Sequence, residues 1–235
     1  MTEVPPVKPV NAEQRIPLTR IQKLIGERMF RSKKTKPCYY MGIDADTTEL
    51  MDSRHELKKR LCVKITSNAF YIKALGVAVK EFPLMVGSLE DDSIKIADSV
   101  NVGFAVSAPQ GLVVPVVKEA DKKTLAEIAT LEKVLTDKAR SNKLSLDDIT
   151  GETVGLSNLG AYDIDSFIGI VPPPATVILA VGNTLRTAVP RNGKIVIRKI
   201  TDLTIAVDST VVPEPYAAKF LARIAELLQE PNRLV

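Results

Sequence analysis

A single histidine, His55, and two cysteines, Cys38 and Cys62, are the whole supply of imidazole and thiol in 235 residues, and tryptophan is absent. No zinc or iron site can be assembled from that set, because such sites need three or four ligands at defined spacings. Two separated cysteines give no disulfide framework either. Cys38, within KPCYY, is expected to be a half-buried strand cysteine, and His55, between Arg54 and Glu56, a solvated side chain. Long apolar runs are also missing. Stretches such as Ala175–Val181 are too short to cross a bilayer. The N-terminal MTEVPPVKPVNAEQ has neither the apolar core of a signal peptide nor the Arg-rich amphipathic character of a transit peptide. A cytoplasmic protein with no membrane partner is the expectation. Charge of one sign is scarce too, with 32 basic residues against 28 acidic ones and a net charge of +4. The densest basic cluster, Arg28–Lys36, carries no recognised nucleic-acid motif. It reads as the solvated end of a helix, where cations suit the macrodipole.

The chain does have enough apolar content, 45% of residues, to bury one large core. Residues 1–14 form a proline-rich arm, since Pro5, Pro6 and Pro9 cannot sit inside a helix. Residues 15–235 read as one domain. Thr19 and Gln22 have capping-box spacing, and Ile21, Leu24, Ile25 and Met29 share one face of the helix they open. Cys38–Asp46 alternates as a strand with Tyr39, Met41, Ile43 and Ala45 on one side. A charged helix over Thr48–Leu61 follows, then an amphipathic helix over Thr66–Phe82 stopped by Pro83. Strands are expected over Val102–Val106, Gly111–Val117, Val154–Ser157 and Thr176–Gly182. Thr124–Arg140 gives a further helix with Leu125, Ile128, Leu131 and Leu135 inward. Arg191-Asn192-Gly193-Lys194 supplies a type I′ hairpin turn, and a last helix begins at Glu214-Pro215. Strands and helices without strict β-α-β alternation argue for an α+β fold, a mixed sheet with helices on one side.

The closing run, DLTIAVDSTVVPEPYAAKFLARIAELLQEPNRLV, resembles the last strand, catalytic turn and final helix of the 2-oxoacid dehydrogenase acyltransferases, the dihydrolipoamide acyltransferase cores. That family carries His-x-x-x-Asp-Gly directly after an aspartate at a strand end, and then a helix with an A-A-x-F-L pattern. Asp208 and Ala217–Leu221 are in register. Ser209 stands at the histidine position, Pro213 at the aspartate position and Glu214 at the glycine position. RIPLTRIQKLIGERMFRSKKTKPCYY and VGLSNLGAYDIDSFIGIVPPPATVILAVG are similar to the family's opening helix with its first strand and to its S-N-L-G stretch. Cys38 falls where many relatives have a further histidine. The likeness runs from about Arg15 to Val235 and implies the chloramphenicol-acetyltransferase-like fold.

The resemblance also implies a site. Ser157 would donate a hydrogen bond to the oxyanion of the tetrahedral intermediate, worth about 10²–10³ in rate, with Asn158 beside it in substrate binding. An alternative reading has Ser157-Asn158 ending a strand and satisfying turn hydrogen bonds. Transfer of an acyl group between coenzyme A and a dihydrolipoyl thiol needs that thiol, of pKa ~8.5, to lose a proton. Imidazole is a matched base and serine is not; losing a general base costs about 10²–10⁴. A catalytically impaired core protein is therefore expected, acting as an oligomeric core or as a structural partner of an active paralogue or dehydrogenase complex. Two alternatives stay open: an active coenzyme-A-dependent acyltransferase using Asp208 or Glu214 as an unorthodox base, and an acyl-CoA-binding sensor. The family likeness further implies a homotrimer, with larger hollow cores formed through C-terminal residues such as Leu234 and Val235. Coenzyme A is expected as substrate or ligand, with no covalently bound cofactor, no metal and no lipoyl domain in this chain. Cations of the Arg28–Lys36 cluster would meet its phosphates.

Overall fold

The computed structural model describes Arg15, Pro17, Leu18 and residues 20–235, so the proline-rich arm and the Thr19 cap lie outside the described residues. In chain order the elements are α1 (Arg20–Thr35), β1 (Cys38–Asp46), α2 (Thr48–Leu61), α3 (Ser67–Glu81), β2 (Gly87–Glu90) and β3 (Ser93–Ile96). Four short strands follow: β4 (Val102–Phe104), β5 (Val106–Ala108), β6 (Gly111–Val113) and β7 (Val116–Val117). The chain then forms α4 (Leu125–Arg140), β8 (Val154–Asn158), β9 (Val177–Arg191), β10 (Lys194–Asp208) and α5 (Glu214–Gln229).

Six strands make one mixed sheet in the order β1-β10-β9-β8-β4-β7. β8 runs parallel to both β4 and β9, and the other pairs are antiparallel. The β9–β10 hairpin turns at Asn192 (φ 51°) and Gly193 (φ 74°), the two positive angles a type I′ turn requires. β1 alternates as its sequence indicates: Ala45 lies in the core, and Tyr39, Met41 and Ile43 pack against it. That core sits between one face of the sheet and α2, α3, α4 and α5, which makes the fold α+β with helices on one side. Phe82 ties α3 to α5 by edge-on contacts with Tyr216 and Phe220, at ring centroids 5.3 and 5.9 Å.

Three expectations need correcting. α3 is not amphipathic: Phe70, Tyr71, Ile72, Ala74 and Leu75 are all buried, covering most of its circumference. It is the central helix, capped by Thr66, whose Oγ1 accepts from the Ala69 N–H at 3.1 Å. The strands expected over Val102–Val106 and Gly111–Val117 are each broken, at Ala105 and at Val114-Pro115, where proline has no N–H to give a ladder. Their first and last parts join the edge of the large sheet, while β5 and β6 form a separate hairpin. Finally, the strand expected over Thr176–Gly182 continues to Arg191 as β9. α1 is the one helix apart from the core. It is held to the segment that covers the opposite sheet face by Ser32 Oγ donating to the Val171 carbonyl at 2.6 Å.

Candidate functional site

β10 delivers Asp208 to the end of the sheet, opposite Cys38 of β1. Its side chain is only 3% exposed. Lys36 Nζ stands 2.8 Å from one carboxylate oxygen, and Thr210 donates to the other through its N–H (3.1 Å) and its hydroxyl (2.6 Å). Burial alone pushes this carboxyl up. The hydrogen bonds from Lys36 and Thr210, with the lysine charge, outweigh it and hold the group below the usual carboxylate range.

Ser209, next in the chain, is exposed. It donates twice to the Pro37 carbonyl, through its N–H at 3.0 Å and its hydroxyl at 2.5 Å. The hydroxyl proton is thereby committed to holding the turn against the start of β1. Val211 and Val212 donate their N–H groups back to the Asp208 carbonyl at 3.2 and 3.1 Å. The Tyr39 hydroxyl donates to the Val212 carbonyl at 3.0 Å. Pro213 (φ −74°, ψ 147°) is the extended residue before α5, and its carbonyl accepts from the Tyr216 and Ala217 N–H groups. Glu214 is an exposed acid in the first turn, where the helix dipole favours it. From Asp208 to Pro213 each residue of the turn makes a hydrogen bond through its backbone or side chain, and none is an imidazole.

Ser157 is placed differently. Along β8, Val154 and Leu156 face the core, so Gly155 and Ser157 face the other side of the sheet. There Ser157 lines an apolar cavity of about 600 Å³ walled by α1, by Leu112 and Leu144, and by the segment around Phe167. Among the described residues, nothing hydrogen-bonds its hydroxyl. Asn158 points the opposite way: its amide donates to Asn68 Oδ1 at 2.8 Å and its carbonyl oxygen accepts from the Gly160 N–H at 2.9 Å. The strand-end turn therefore rests on Asn158, and the open hydroxyl belongs to Ser157.

The two halves do not meet within one chain. Ser157 pairs with Ala180, and Ala180 pairs with Thr204, so two strand spacings separate Ser157 from β10. Ser209 lies five residues beyond Thr204 along the chain. At ~4.8 Å between strands and ~3.3 Å per residue, Ser157 and Ser209 are roughly 20 Å apart.

The basic cluster expected to be solvated is so only in its middle. Arg28 pairs with Glu152, which is 2% exposed, and donates Nε to the Pro173 carbonyl at 2.9 Å. Lys36 closes on Asp208. Neither pairing is visible in local sequence, because each partner is more than a hundred residues away. His55 is exposed on α2 and Cys38 is half-buried on β1. Among the described residues there is no cluster of three or more potential metal ligands, and no helix is long and apolar enough to cross a membrane.

A family profile described as 2-oxoacid dehydrogenases acyltransferase (catalytic domain) matches residues 10–235. The dihydrolipoyllysine-residue acetyltransferase component of the pyruvate dehydrogenase complex of Rickettsia bellii is 34% identical over 219 residues, 92% of this chain and 52% of that protein. The chain thus spans about half the length of that relative. The crystal structure of the Azotobacter vinelandii dihydrolipoamide acetyltransferase superposes with a TM-score of 0.90 at 30% identity, covering 98% of this chain and 99% of that one. Its catalytic mechanism has been investigated through a serine, a histidine and an asparagine. That serine and histidine are separated by the same 52 positions as Ser157 and Ser209, and the asparagine falls at the offset of Pro213. Chloramphenicol acetyltransferase shares the fold at 13% identity, with a TM-score of 0.56 over 86% of this chain and 94% of that one.

Proposed function

Because the chain belongs to the 2-oxoacid dehydrogenase acyltransferase (catalytic domain) family, we propose that it is a core subunit with the thioester-binding half of the site and no general base. The observation that carries this reading is the contrast between the two serines. Ser157 keeps a free hydroxyl over a cavity, where it can donate to a thioester carbonyl. Ser209, at the histidine position, spends its hydroxyl proton on Pro37. A thiol attacking the thioester has nothing there to take its proton, so transfer proceeds only through the thiolate already present.

The unorthodox-base alternative has little support. Asp208 is the buried carboxylate of the turn, and Lys36 and Thr210 occupy both of its oxygens and depress its basicity. Glu214 is exposed at the start of α5. A homotrimer belongs to the same proposal. With Ser157 and Ser209 roughly 20 Å apart in one chain, the two can face each other only across a subunit boundary. The role proposed is an oligomeric core in the cytoplasm, alone or mixed with an active paralogue or dehydrogenase-complex components, with coenzyme A thioesters as ligands.

The test is thiol release from acetyl-CoA with dihydrolipoamide, followed from pH 6.5 to 9 alongside the mass in solution. The expected rate is near background at pH 7.5 and rises about tenfold per pH unit towards the thiol pKa of ~8.5. A rate that is already level by pH 7.5, well above background, would show a protein base at work. A stable monomer would remove the trimer.

A further inference from the structure

β8 loses one of its two neighbours just where Ser157 stands. Its ladder to β4 pairs Val154 with Val102, Gly155 with Gly103 and Leu156 with Phe104. It closes where the Ala105 N–H donates to the Leu156 carbonyl at 2.9 Å. Beyond Leu156 the ladder continues on the β9 side alone, Ser157 with Ala180 and Asn158 with Val181. A strand end gripped on one side opens more readily than one gripped on both. The aim of the Ser157 hydroxyl therefore depends on what else holds this end.

That hold comes from α3. The Asn158 side-chain oxygen accepts the Gly160 N–H at 2.9 Å, which leaves its amide to donate to Asn68 Oδ1 at 2.8 Å. Asn68 is the second residue of α3, the helix whose Phe70, Tyr71 and Ile72 are all buried. The turn that carries it is fixed again by its cap. Thr66 Oγ1 accepts from the Ala69 N–H and donates to Oε2 of the buried Glu132, on α4, at 2.7 Å. A line of hydrogen bonds thus reaches from α4 through the first turn of α3 to the residue after Ser157. Asn158 and Ser157 face opposite sides of the sheet, so Asn68 acts on the hydroxyl only through the strand between them.

We propose that Asn68 is a positioning residue of the thioester site, holding the end of β8 so that the Ser157 hydroxyl meets the thioester carbonyl. A hydrogen bond weakens steeply as its angle closes, so a strand end free to tilt would lose that contact without losing the serine. The proposal rests on the thioester-binding reading of Ser157 and adds the residue that aims it.

Titration calorimetry of the full chain with acetyl-CoA, and with free CoA, which has no thioester carbonyl, tests it. Ser157→Ala should weaken acetyl-CoA binding about three- to tenfold, the worth of one hydrogen bond, and leave free CoA unchanged. Asn68→Ser is too short to reach Asn158 and is a residue type common at helix starts. It should reproduce most of that loss, for acetyl-CoA only. Asn68→Asp keeps an acceptor oxygen and should bind both ligands as wild type does. In the double variant of Ser157→Ala with Asn68→Ser the losses should not add, because the second change acts through the hydroxyl that the first removes. Asn68→Ala is read by the same criteria if the serine variant does not fold. Additive losses, or equal weakening of free CoA, would make Asn68 a general structural residue and overturn the assignment. Wild-type affinity in Asn68→Ser beside a weakened Ser157→Ala would also overturn it and leave the thioester-binding reading standing. Unchanged acetyl-CoA binding in Ser157→Ala, or none by the folded wild type, would overturn both.

Discussion

Lys36 Nζ and Asp208 Oδ2 stand 2.8 Å apart, joining the residue just after α1 to the end of β10 across 172 positions of sequence. Asp208 is buried and Lys36 mostly so. Removing one member of such a pair leaves an uncompensated charge, which typically costs about 3 kcal/mol. Lys36→Met is expected to lower the melting temperature by roughly 6–12 °C, a scale set by the chain's size. The double variant with Asp208→Asn should recover part of that loss. Thermal denaturation of the three proteins checks the coupling.

The same pair sets an acid limit. The folded pKa of Asp208 is depressed, so its contribution to stability is complete above the unfolded value of about 3.9 and is lost as pH falls through the lower folded value. Wild type should therefore lose stability more steeply than Asp208→Asn between about pH 4 and 2. Parallel acid-denaturation curves would contradict this.

Tyr39 fixes the other side of the altered turn. Burial first, then the charges of Glu214 and Cys38, push its hydroxyl up to about 12. Because the folded value is raised, its stabilisation is full below the ordinary tyrosine value of ~10 and is lost as pH climbs towards 12. Tyr71, buried beneath the sheet, is also pushed up to about 12. Spectrophotometric titration should find Tyr39 and Tyr71 ionising late, and Tyr39→Phe should remove one of those two late steps.

The two thiols should differ in reactivity. Burial and the neighbouring Asp208 raise the Cys38 thiol, and the opposing charges of Lys36 and Lys33 do not cancel them. Cys62 is exposed after the last turn of α2. Iodoacetamide at pH 8 should modify Cys62 well before Cys38, as peptide mass mapping would show. Equal labelling would mean that the β1–β10 edge is open in solution.

Much of this architecture is legible in the sequence because it rests on local chemistry. β1 and α2 begin and end where their patterns do, Thr124 and Glu127 form the capping box that starts α4, and Asn192-Gly193 makes the hairpin. α3 escapes a periodicity reading because a central helix is apolar nearly all round. The broken strands on either side of Ala105 and Pro115 escape it because a short apolar run does not say where a ladder stops. Ser157 and Ser209 are identifiable by motif and spacing. Their separation, the Lys36 and Arg28 pairings and the cavity walled by Leu24, Leu144 and Phe167 all arise from contacts between distant segments, which no local pattern records.

The central claim is that an otherwise serviceable scaffold lacks only its base. Acyl transfer from acetyl-CoA to dihydrolipoamide, measured at pH 7.5 on wild type and on the combined variant Ser209→His, Pro213→Asp, Glu214→Gly, tests it most directly. The combined variant is expected to be faster by about 10²–10³, the contribution of a positioned general base. Adding Ser157→Ala should remove most of that gain. A wild-type rate matching that of the combined variant, with both proteins folded, would contradict the account.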